Sequence, residues 1–355
     1  MVSDLHPDAV VSDAARTTSE AWAWAQARAR ALPKVVLHEH LDGSLRPATL
    51  LELLRLRGVE PPAAEPAALA AWFNANAHAG SLEKYLQGFA LTVHAMASPE
   101  ALQRVALEAV LDAHADGAVL ADFRIAPLLF EAHGLSGEAT VQALLAGLTE
   151  GRRRTGLPTG LIVCAMRHLP PSESVRAARL ALAFAAPSAP AGNAGVSADA
   201  AAVIGFDLAG AERGHPAAEH ERALALLRDA GLPMTLHAGE ADAAERVLEA
   251  GRLGARRIGH GVRLVDALHE PAGAALVEAV RALDLHLEVC PTSNVHTGAA
   301  ASLAAHPIVP LWRAGISLSY HTDNRLMSCI SHSDEAANLL SQTPLTEADL
   351  LAMTL

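Results

Sequence analysis

The chain has 355 residues with a hydrophobic fraction of 51%, enough for one large barrel or two ordinary domains. Its net charge of −12 argues against binding a nucleic-acid polymer, because such binding depends on neutralising phosphates. No uninterrupted apolar stretch reaches the roughly 18 residues that a membrane span requires. Composition therefore favours a soluble globular protein, and it leaves open whether a small nucleobase-like substrate binds.

The cysteines and both chain ends bear on location and domain organisation. Cys164, Cys290 and Cys329 are odd in number and form no C-x-x-C pair, so we expect no disulfide framework and a reducing, cytoplasmic location. The first residues lack the basic region and apolar core of a signal peptide. We expect a flexible extension over residues 1–25 and a single domain over 26–355. That domain ends at "TEADLLAMTL", inside an apparent helix, so we expect a truncated C-terminal end.

Short runs rich in β-branched residues recur along the chain, with amphipathic segments between most of them. The predicted strands cover 34–38, 118–126, 160–166, 202–208, 233–238, 256–261, 285–291 and 316–322. Alternating strands and helices indicate a parallel sheet, and eight strands indicate an α/β fold of the (β/α)8 TIM-barrel type. An open doubly wound sheet would give the same local pattern, but no G-x-G-x-x-G follows any of these strands.

The gap between the first two predicted strands is long and contains several predicted helices, including "LLELLRLRG" and "SLEKYLQGFALTVHAMA". We interpret residues 45 to 115 as a helical insertion after strand one. Such an insertion would lie over the mouth of the barrel, where a lid is expected.

The first strand ends in "VVLHEHLDGS", which places His38 and His40 two residues apart. Side chains alternate along a strand, so both imidazoles point to one face and Glu39 points to the other. Two converging imidazoles can begin a metal site. These ten residues alone are equally compatible with a surface loop.

Polar residues follow most of the other predicted strands, and active sites of these barrels lie at the carboxyl ends of the strands. The residues at these ends are His38, His40, Asp42, Asp207, Gly210, His237, Glu240, His260, Asp323 and Asn324. Three histidines and one aspartate suit a divalent transition metal, and zinc is the usual occupant of such sites. We expect Asp207 to orient the "DLAG" turn rather than contact a substrate.

These residues resemble those of the adenosine deaminase family, within the metal-dependent amidohydrolase superfamily. "HEHLDGS", "DLAG", "HAGE", "RIGHG", "CPTSN" and "HTDN" stand in the order and strand positions of that family, and "FRIAP" and "CAMRH" are also similar to it. The resemblance covers residues 33–345. Each motif alone is weak, but six in register along one barrel are specific.

The resemblance implies a role for each matching residue. His38, His40, His237 and Asp323 would bind one zinc ion per chain, and Glu240 would donate a proton to N1 of a purine. His260 would orient the metal-bound water and help to deprotonate it. The remaining matches would contact the substrate: His40 in the pocket, Asp42 at the ribose hydroxyls and Gly210 through its backbone N–H. Asn324 replaces the second of two aspartates that the family often has after strand eight, and its amide can still donate one hydrogen bond.

The implied reaction is zinc-dependent deamination of adenosine and deoxyadenosine to inosine and ammonia, as in purine salvage. Zinc brings the pKa of bound water near neutrality, which makes this hydrolysis feasible at pH 7. The H-x-E and P-C-x-x-C motifs of the other zinc deaminase design are absent, since "CPTS" lacks the second cysteine.

Several alternatives stay open. The substrate can be another 6-aminopurine, such as adenine or an aminofutalosine-like nucleoside, although the short Asp42 favours a nucleoside. The chain can also be a catalytically weak zinc-binding barrel or a related amidohydrolase that cleaves another bond. The sequence leaves the oligomeric state open, and it predicts neither a membrane nor a nucleic-acid polymer as a partner.

Overall fold

The structure, a computed structural model, describes residues 18–78, 82–186, 200–270 and 273–354. Its helices and strands in chain order are α1 (Thr18–Ala31), β1 (Lys34–His40), α2 (Pro47–Leu56), α3 (Pro66–Ala77), α4 (Leu82–Met96), α5 (Pro99–Ala115), β2 (Ala118–Ile125), α6 (Gly137–Thr155), β3 (Thr159–Met166), α7 (Pro171–Ala183), β4 (Val203–Ala209), α8 (Glu221–Ala230), β5 (Met234–Ala238), α9 (Glu245–Arg252), β6 (Arg257–His260), α10 (Leu264–His269), α11 (Ala274–Ala282), β7 (His286–Val289), α12 (Pro291–His296), α13 (Ile308–Arg313), β8 (Leu318–Tyr320), α14 (Arg325–Ser328), α15 (His332–Gln342) and α16 (Glu347–Ala352). Short 3-10 helices lie at Leu41–Gly43, Pro127–His133 and Ala217–His220.

The eight strands form one parallel sheet in the order β1 to β8. An isolated parallel bridge between Glu39 and Asp323 joins the last strand region to the first. In this bridge the His40 N–H donates to the Asp323 carbonyl at 2.8 Å and the Asp323 N–H donates to the His38 carbonyl at 3.1 Å. The sheet thus closes into the predicted (β/α)8 barrel, and each predicted strand matches an observed one to within two residues at either end.

Local sequence signals determine where several of the helices begin and end. The side chains of Ser98 and Ser136 accept backbone N–H groups at the starts of α5 and α6. Gly156 and Gly231 end α6 and α8 in the left-handed conformation, at φ 73° and φ 71°. Within the described residues, no helix is both long enough and apolar enough to cross a bilayer.

Helices α2, α3 and α4 form the insertion predicted after the first strand. In α3 the Asn74 side-chain amide donates to the Ser328 carbonyl at 3.0 Å, and Ser328 ends α14, just beyond β8. In α4 a Cβ built on Gly88 would lie 3.2 Å from both Phe73 and Met327. The insertion therefore packs over the carboxyl end of the barrel, as predicted.

The helix α1 runs through residue 25, where the sequence predicts the end of a flexible extension. Ala25 and Ala29 are buried, and the Gln26 side-chain amide donates to Asp334 of α15 at 3.0 Å. The expected boundary thus falls inside a helix that packs on the barrel. Residues 1–17 lie outside the described residues, so the flexible extension, the division at residue 25 and the truncated C-terminal end stay predictions.

Candidate active site

Five side chains that the sequence predicts to be functional converge at the carboxyl ends of the strands. His38 and His40 lie at the end of β1, His237 lies in β5, His260 ends β6, and Asp323 follows β8. The centroids of the His38 and His237 rings are 4.7 Å apart, and those of His38 and His260 are 5.0 Å apart. Strand ends that are distant in sequence therefore build one compact polar cluster.

Four of these residues form a group that can hold a metal ion. One ligand atom from each of His38, His40, His237 and Asp323 lies within 4.8 Å of all the others. Nε2 of His40 is 3.4 Å from Nε2 of His237, and Nε2 of His38 is 3.3 Å from Oδ1 of Asp323. Despite that approach, Nε2 of His38 is buried and forms no hydrogen bond with the described residues. A buried imidazole nitrogen without a hydrogen bond, surrounded by other nitrogen and oxygen ligand atoms, fits the binding of a divalent transition metal.

A second group of donors overlaps the first. His260 and Cys290, together with His38 and Asp323, also offer ligand atoms within 4.8 Å of one another. The first set offers three imidazoles and one carboxylate, whereas the second offers two imidazoles, one carboxylate and one thiol. Catalytic zinc sites commonly use histidine and acidic ligands. The set that contains His40 and His237 is therefore the better ligand set.

Buried carboxylates orient two of the histidines. Nδ1 of His38 lies 3.1 Å from Oε2 of Glu288, and Nδ1 of His237 lies 3.0 Å from Oδ1 of Asp207. Carboxylates that accept from Nδ1–H keep Nε2 deprotonated and directed at a metal, and such partners strengthen metal binding. The contacts at Nδ1, on the side of each ring away from the metal position, thus fix the orientation of both rings.

The guanidinium of Arg124 links these two carboxylates inside the barrel. It donates to Asp207 at 2.8 Å and to Glu288 at 2.6 Å, and all three side chains are buried. Burial alone would raise the pKa of each carboxyl. The hydrogen bond from His237 and the charge of Arg124 instead hold the pKa of Asp207 below its ordinary range, and the charges of Arg124 and Arg257 do the same for Glu288. Both groups are therefore carboxylates at neutral pH.

Two site residues have backbone conformations that L-residues rarely adopt. His260 has φ 63° and Asp323 has φ 62°, both in the left-handed region. Non-glycine residues hold this conformation only where the surrounding structure enforces it, and they concentrate at functional sites. Here Asp323 is held by its bridge to β1, and its Oδ2 accepts from the Ser293 hydroxyl at 2.7 Å.

Glu240 lies beside the metal-capable group, with its side chain 21% exposed. Its Oε1 accepts from the Thr297 hydroxyl at 2.9 Å, and its Oε2 lies 3.6 Å from Nε2 of His260. The other ring nitrogen of His260 lies 3.1 Å from the side-chain amide of Asn294. A carboxyl and an imidazole thus stand together next to the metal-capable group, as acid–base chemistry requires.

Asp42 lies in the 3-10 turn directly after β1 and is 4% exposed. Burial raises its pKa to about 7. Its Oδ1 is buried without a hydrogen-bond partner among the described residues. Such an oxygen is available to accept a hydroxyl of a bound ligand.

Two glycines provide close approaches at the mouth. Gly210 follows β4, beside the strand of His237, with φ 92°, and a Cβ there would lie 2.8 Å from Nδ1 of His168. A Cβ on Gly43 would lie 1.9 Å from Oδ1 of Asn324. Both positions need glycine. The second one leaves room for the Asn324 side chain next to the turn of Asp42.

Glu39 points away from the metal-capable group, as strand alternation predicts. Its carboxylate pairs with Arg325 at 2.8 Å and contacts Nε2 of His332 at 2.7 Å, and its side chain is fully buried. Glu39 therefore joins the end of β1 to the segment after β8 on the reverse face of the strand.

Sequence reasoning missed the residues that support the site from within the barrel. Asp207 was expected only to orient its turn, whereas it contacts His237 and Arg124. Arg124 and Glu288 were not predicted to have any role. The available signal was a charged residue in the middle of an apolar strand, in "DFRIA" and "LHLEVC", because such residues require a buried partner.

Comparison with known proteins places the chain in a family. The model of the adenosine deaminase family matches residues 33–354. The chain is 41% identical over 334 residues to an adenosine deaminase of Mycobacterium bovis, covering 91% of this chain and 87% of that protein. The chain belongs to the adenosine deaminase family. The resemblance inferred from the six motifs is thereby confirmed.

Solved structures support the fold. A zinc-bound amidohydrolase from Burkholderia ambifaria has a TM-score of 0.77 at 23% identity, covering 97% of this chain and 88% of that one. Arabidopsis ADAL in complex with IMP has a TM-score of 0.73 at 23% identity, covering 93% of this chain and 91% of that one. As a member of its family, the present chain is a hydrolase that acts on C–N bonds of cyclic amidines.

Proposed function

We propose that the protein is a zinc-dependent adenosine deaminase that converts adenosine or deoxyadenosine and water into inosine or deoxyinosine and ammonia. The observation that carries this proposal is the position of Glu240. Its carboxyl lies 3.6 Å from His260 and stands beside a three-histidine, one-aspartate group. Family membership and the 41% identity to a mycobacterial adenosine deaminase support the same reaction.

His38, His40, His237 and Asp323 would hold one zinc ion. Three imidazoles and one carboxylate are suitable zinc ligands, and Nε2 of His38 is buried without a hydrogen bond among the described residues, so the group fits this ion. When bound, zinc supplies the Lewis acidity that makes water a nucleophile near neutral pH. Asp207 and Glu288 keep Nδ1 of His237 and His38 occupied, so that the Nε2 atoms face the metal position.

The remaining residues act on protons and on the substrate. Glu240 would deliver a proton to N1 of the purine, which makes C6 more electrophilic. His260 would orient the attacking water and take up its proton. Asn294 holds the far side of that ring, and Thr297 holds the Glu240 carboxyl through its hydroxyl. Protonation of the purine at N1 and attack of the oriented water at C6 together allow the amino group to leave as ammonia.

Three further residues would recognise the nucleoside. The unpartnered Oδ1 of Asp42 would accept a ribose hydroxyl, since a buried acceptor gains most from a ligand donor. The N–H of Gly210 would meet the purine ring, and the absence of a Cβ leaves the backbone accessible there. Asn324, beside Gly43, would donate its amide to the base, and His40 would line the pocket next to it.

We further propose that the substrate is a free purine nucleoside in the cytoplasm. The IMP bound to Arabidopsis ADAL is a purine nucleotide, which supports a small-molecule purine as the class of substrate. Cys164 and Cys290 are buried as free thiols, which suits a reducing compartment. Cell fractionation with a tagged full chain tests the location.

The function is tested by the ultraviolet change of adenosine to inosine together with ammonia release, before and after chelation and with zinc restored. We expect turnover that chelation removes and zinc restores. Adenine and aminofutalosine are assayed in parallel. Faster turnover of adenine would contradict the nucleoside assignment, and the lack of turnover in a zinc-loaded sample would contradict deamination.

A further inference from the structure

The loop that carries Glu240 is held by a carboxylate from the neighbouring loop. Gly239, Glu240, Ala241 and Asp242 follow β5, and their four consecutive backbone N–H groups all donate to the Glu212 side chain. The Gly239 N–H donates to Oε1 at 2.6 Å, and the other three donate to Oε2 at 3.0, 2.8 and 3.1 Å. Consecutive N–H groups that converge on one anion form a strong, charge-assisted arrangement.

Glu212 lies in the segment after β4, two residues beyond Gly210, and is 5% exposed. A buried carboxylate is costly unless donors compensate its charge, and the four amides do so. The guanidinium of Arg167 lies nearby and donates to the carbonyls of Leu208 and His237. Arg167 thus joins the ends of β4 and β5, while Glu212 joins the loops that follow them.

The geometry differs from ordinary helix capping. Helix α9 begins at Glu245, three residues after the last of the four amides, so these N–H groups are not the unsatisfied donors of its first turn. The loop also contains a glycine with φ 66°, at Gly239, where a Cβ would lie 2.7 Å from Val247. Glu212 therefore fixes the loop itself, and with it the backbone from which the Glu240 side chain projects.

We propose that Glu212 is a positioning residue for the deamination. It acts through the backbone of residues 239–242 to hold the Glu240 carboxyl at the ring nitrogen that it protonates. This inference rests on the proposed function. A displacement of about 1 Å in a catalytic group can cost about 100-fold in rate, so a loose loop would slow the chemical step more than it weakens substrate binding.

The first test compares Glu212→Gln with Glu219→Gln, a matched control at an exposed position in the same connection between β4 and α8. Glutamine keeps the shape of the side chain but replaces one acceptor oxygen by a donor, which opposes an N–H of the loop. In Glu212→Gln we expect kcat for adenosine to fall about 10- to 100-fold, with KM within about twofold and zinc content unchanged. We expect Glu219→Gln to match the wild type. Wild-type kcat in Glu212→Gln would overturn the proposal.

The second test asks whether Glu212 acts through Glu240, using a double-mutant cycle. If it does, Glu212→Gln should change the rate less than about twofold when Glu240→Gln is already present, because the positioned group is gone. The same fold loss in both backgrounds would mean a general structural role and would overturn the proposal.

The third measurement does not depend on turnover. Amide hydrogen exchange at residues 239–242 should become at least about tenfold faster in Glu212→Gln and stay unchanged in Glu219→Gln. Unchanged exchange in Glu212→Gln would overturn the proposal. If Glu212→Gln does not fold, as judged by its melting curve, Glu212→Asp replaces it in every comparison, because the shorter side chain cannot reach all four amides. Absence of turnover in zinc-loaded wild type would instead contradict the proposed function, while the exchange result would still test the loop contact.

Discussion

Two carboxyl groups at the mouth of the barrel have different surroundings, and these surroundings suit different tasks. Asp42 is buried, with one oxygen unpartnered among the described residues, whereas Glu240 is partly exposed and accepts the Thr297 hydroxyl. The first is placed to bind a ligand hydroxyl. The second is placed to exchange a proton beside the metal-capable group.

Glu240→Gln tests the proton donor directly. Glutamine keeps the contact with Thr297 but cannot deliver a carboxyl proton, so we expect kcat to fall about 10²- to 10⁴-fold. Zinc content should stay at the wild-type value because Glu240 is not a predicted ligand. Glu245→Gln, an exposed position a few residues later, is the control. A Glu240→Gln variant with more than a tenth of wild-type kcat would contradict the assignment.

Asp42→Ala tests substrate selection. Loss of a buried acceptor for a ribose hydroxyl should lower kcat/KM for adenosine about 10- to 100-fold. The same change should alter kcat/KM for adenine, which has no ribose, less than about threefold. Equal losses of kcat/KM for the two substrates, measured by ammonia release, would show that Asp42 does not recognise the ribose.

Asp207→Asn tests the orientation of His237 from within the barrel. The amide cannot fix the imidazole as the buried carboxylate does, so we expect zinc affinity to fall about 10- to 100-fold. Asp229→Asn, at an exposed position in α8, is the control. Zinc competition with a chelating dye measures the affinity. An unchanged zinc affinity in Asp207→Asn would contradict the role of Asp207 in orienting His237.

At the scale of elements, the short helix α12 and the residue after it contact three parts of the site. Ser293 donates to Asp323, Asn294 contacts His260, and Thr297 donates to Glu240. The first turn of α12 is in turn held by Glu335 of α15, whose Oε1 accepts the Thr292 N–H at 3.0 Å. The packing of α15 on α12 therefore contributes to the geometry of the site.

Glu335 should give the fold a measurable pH dependence. Burial raises its pKa from 4.5 to about 8, so the native state keeps a proton that the unfolded chain has already released. Stability contributed by this group is thus lost as the pH rises through that window. The melting temperature of Glu335→Gln, relative to wild type, should be higher at about pH 8.5 than at about pH 5. Glu270→Gln, an exposed control, should show no such trend, and a flat difference for Glu335→Gln would contradict the burial argument.

Most of the strands were predictable because they lie in short runs of apolar, often β-branched residues with polar or turn residues on either side. Strands of a parallel sheet are buried on both faces, so they have such continuous apolar runs. The candidate ligands could be listed from the sequence because they stand at strand ends, and the resemblance to the adenosine deaminase family selected four of these residues as ligands. Contacts such as those of Arg124 with Asp207 and Glu288 were not, because they join strands that are 83 and 164 residues apart in sequence. A periodic pattern indicates which face a residue occupies, but it does not indicate which residue lies opposite.

At the scale of the whole molecule, barrel closure and the metal-capable group depend on the same contacts. The bridge between Glu39 and Asp323 joins the first and last strand regions, and its two ends are adjacent to or part of the ligand set. A bound metal would therefore connect β1, β5 and the segment after β8.

The central claim is that one zinc ion, held by His38, His40, His237 and Asp323, is required for adenosine deamination. Its most direct test is a titration of the metal-free full chain with zinc, in which bound zinc and adenosine turnover are measured in the same samples. We predict that turnover rises in proportion to bound zinc and saturates at one equivalent per chain. Turnover that is independent of zinc, or one bound equivalent without turnover, would contradict the account.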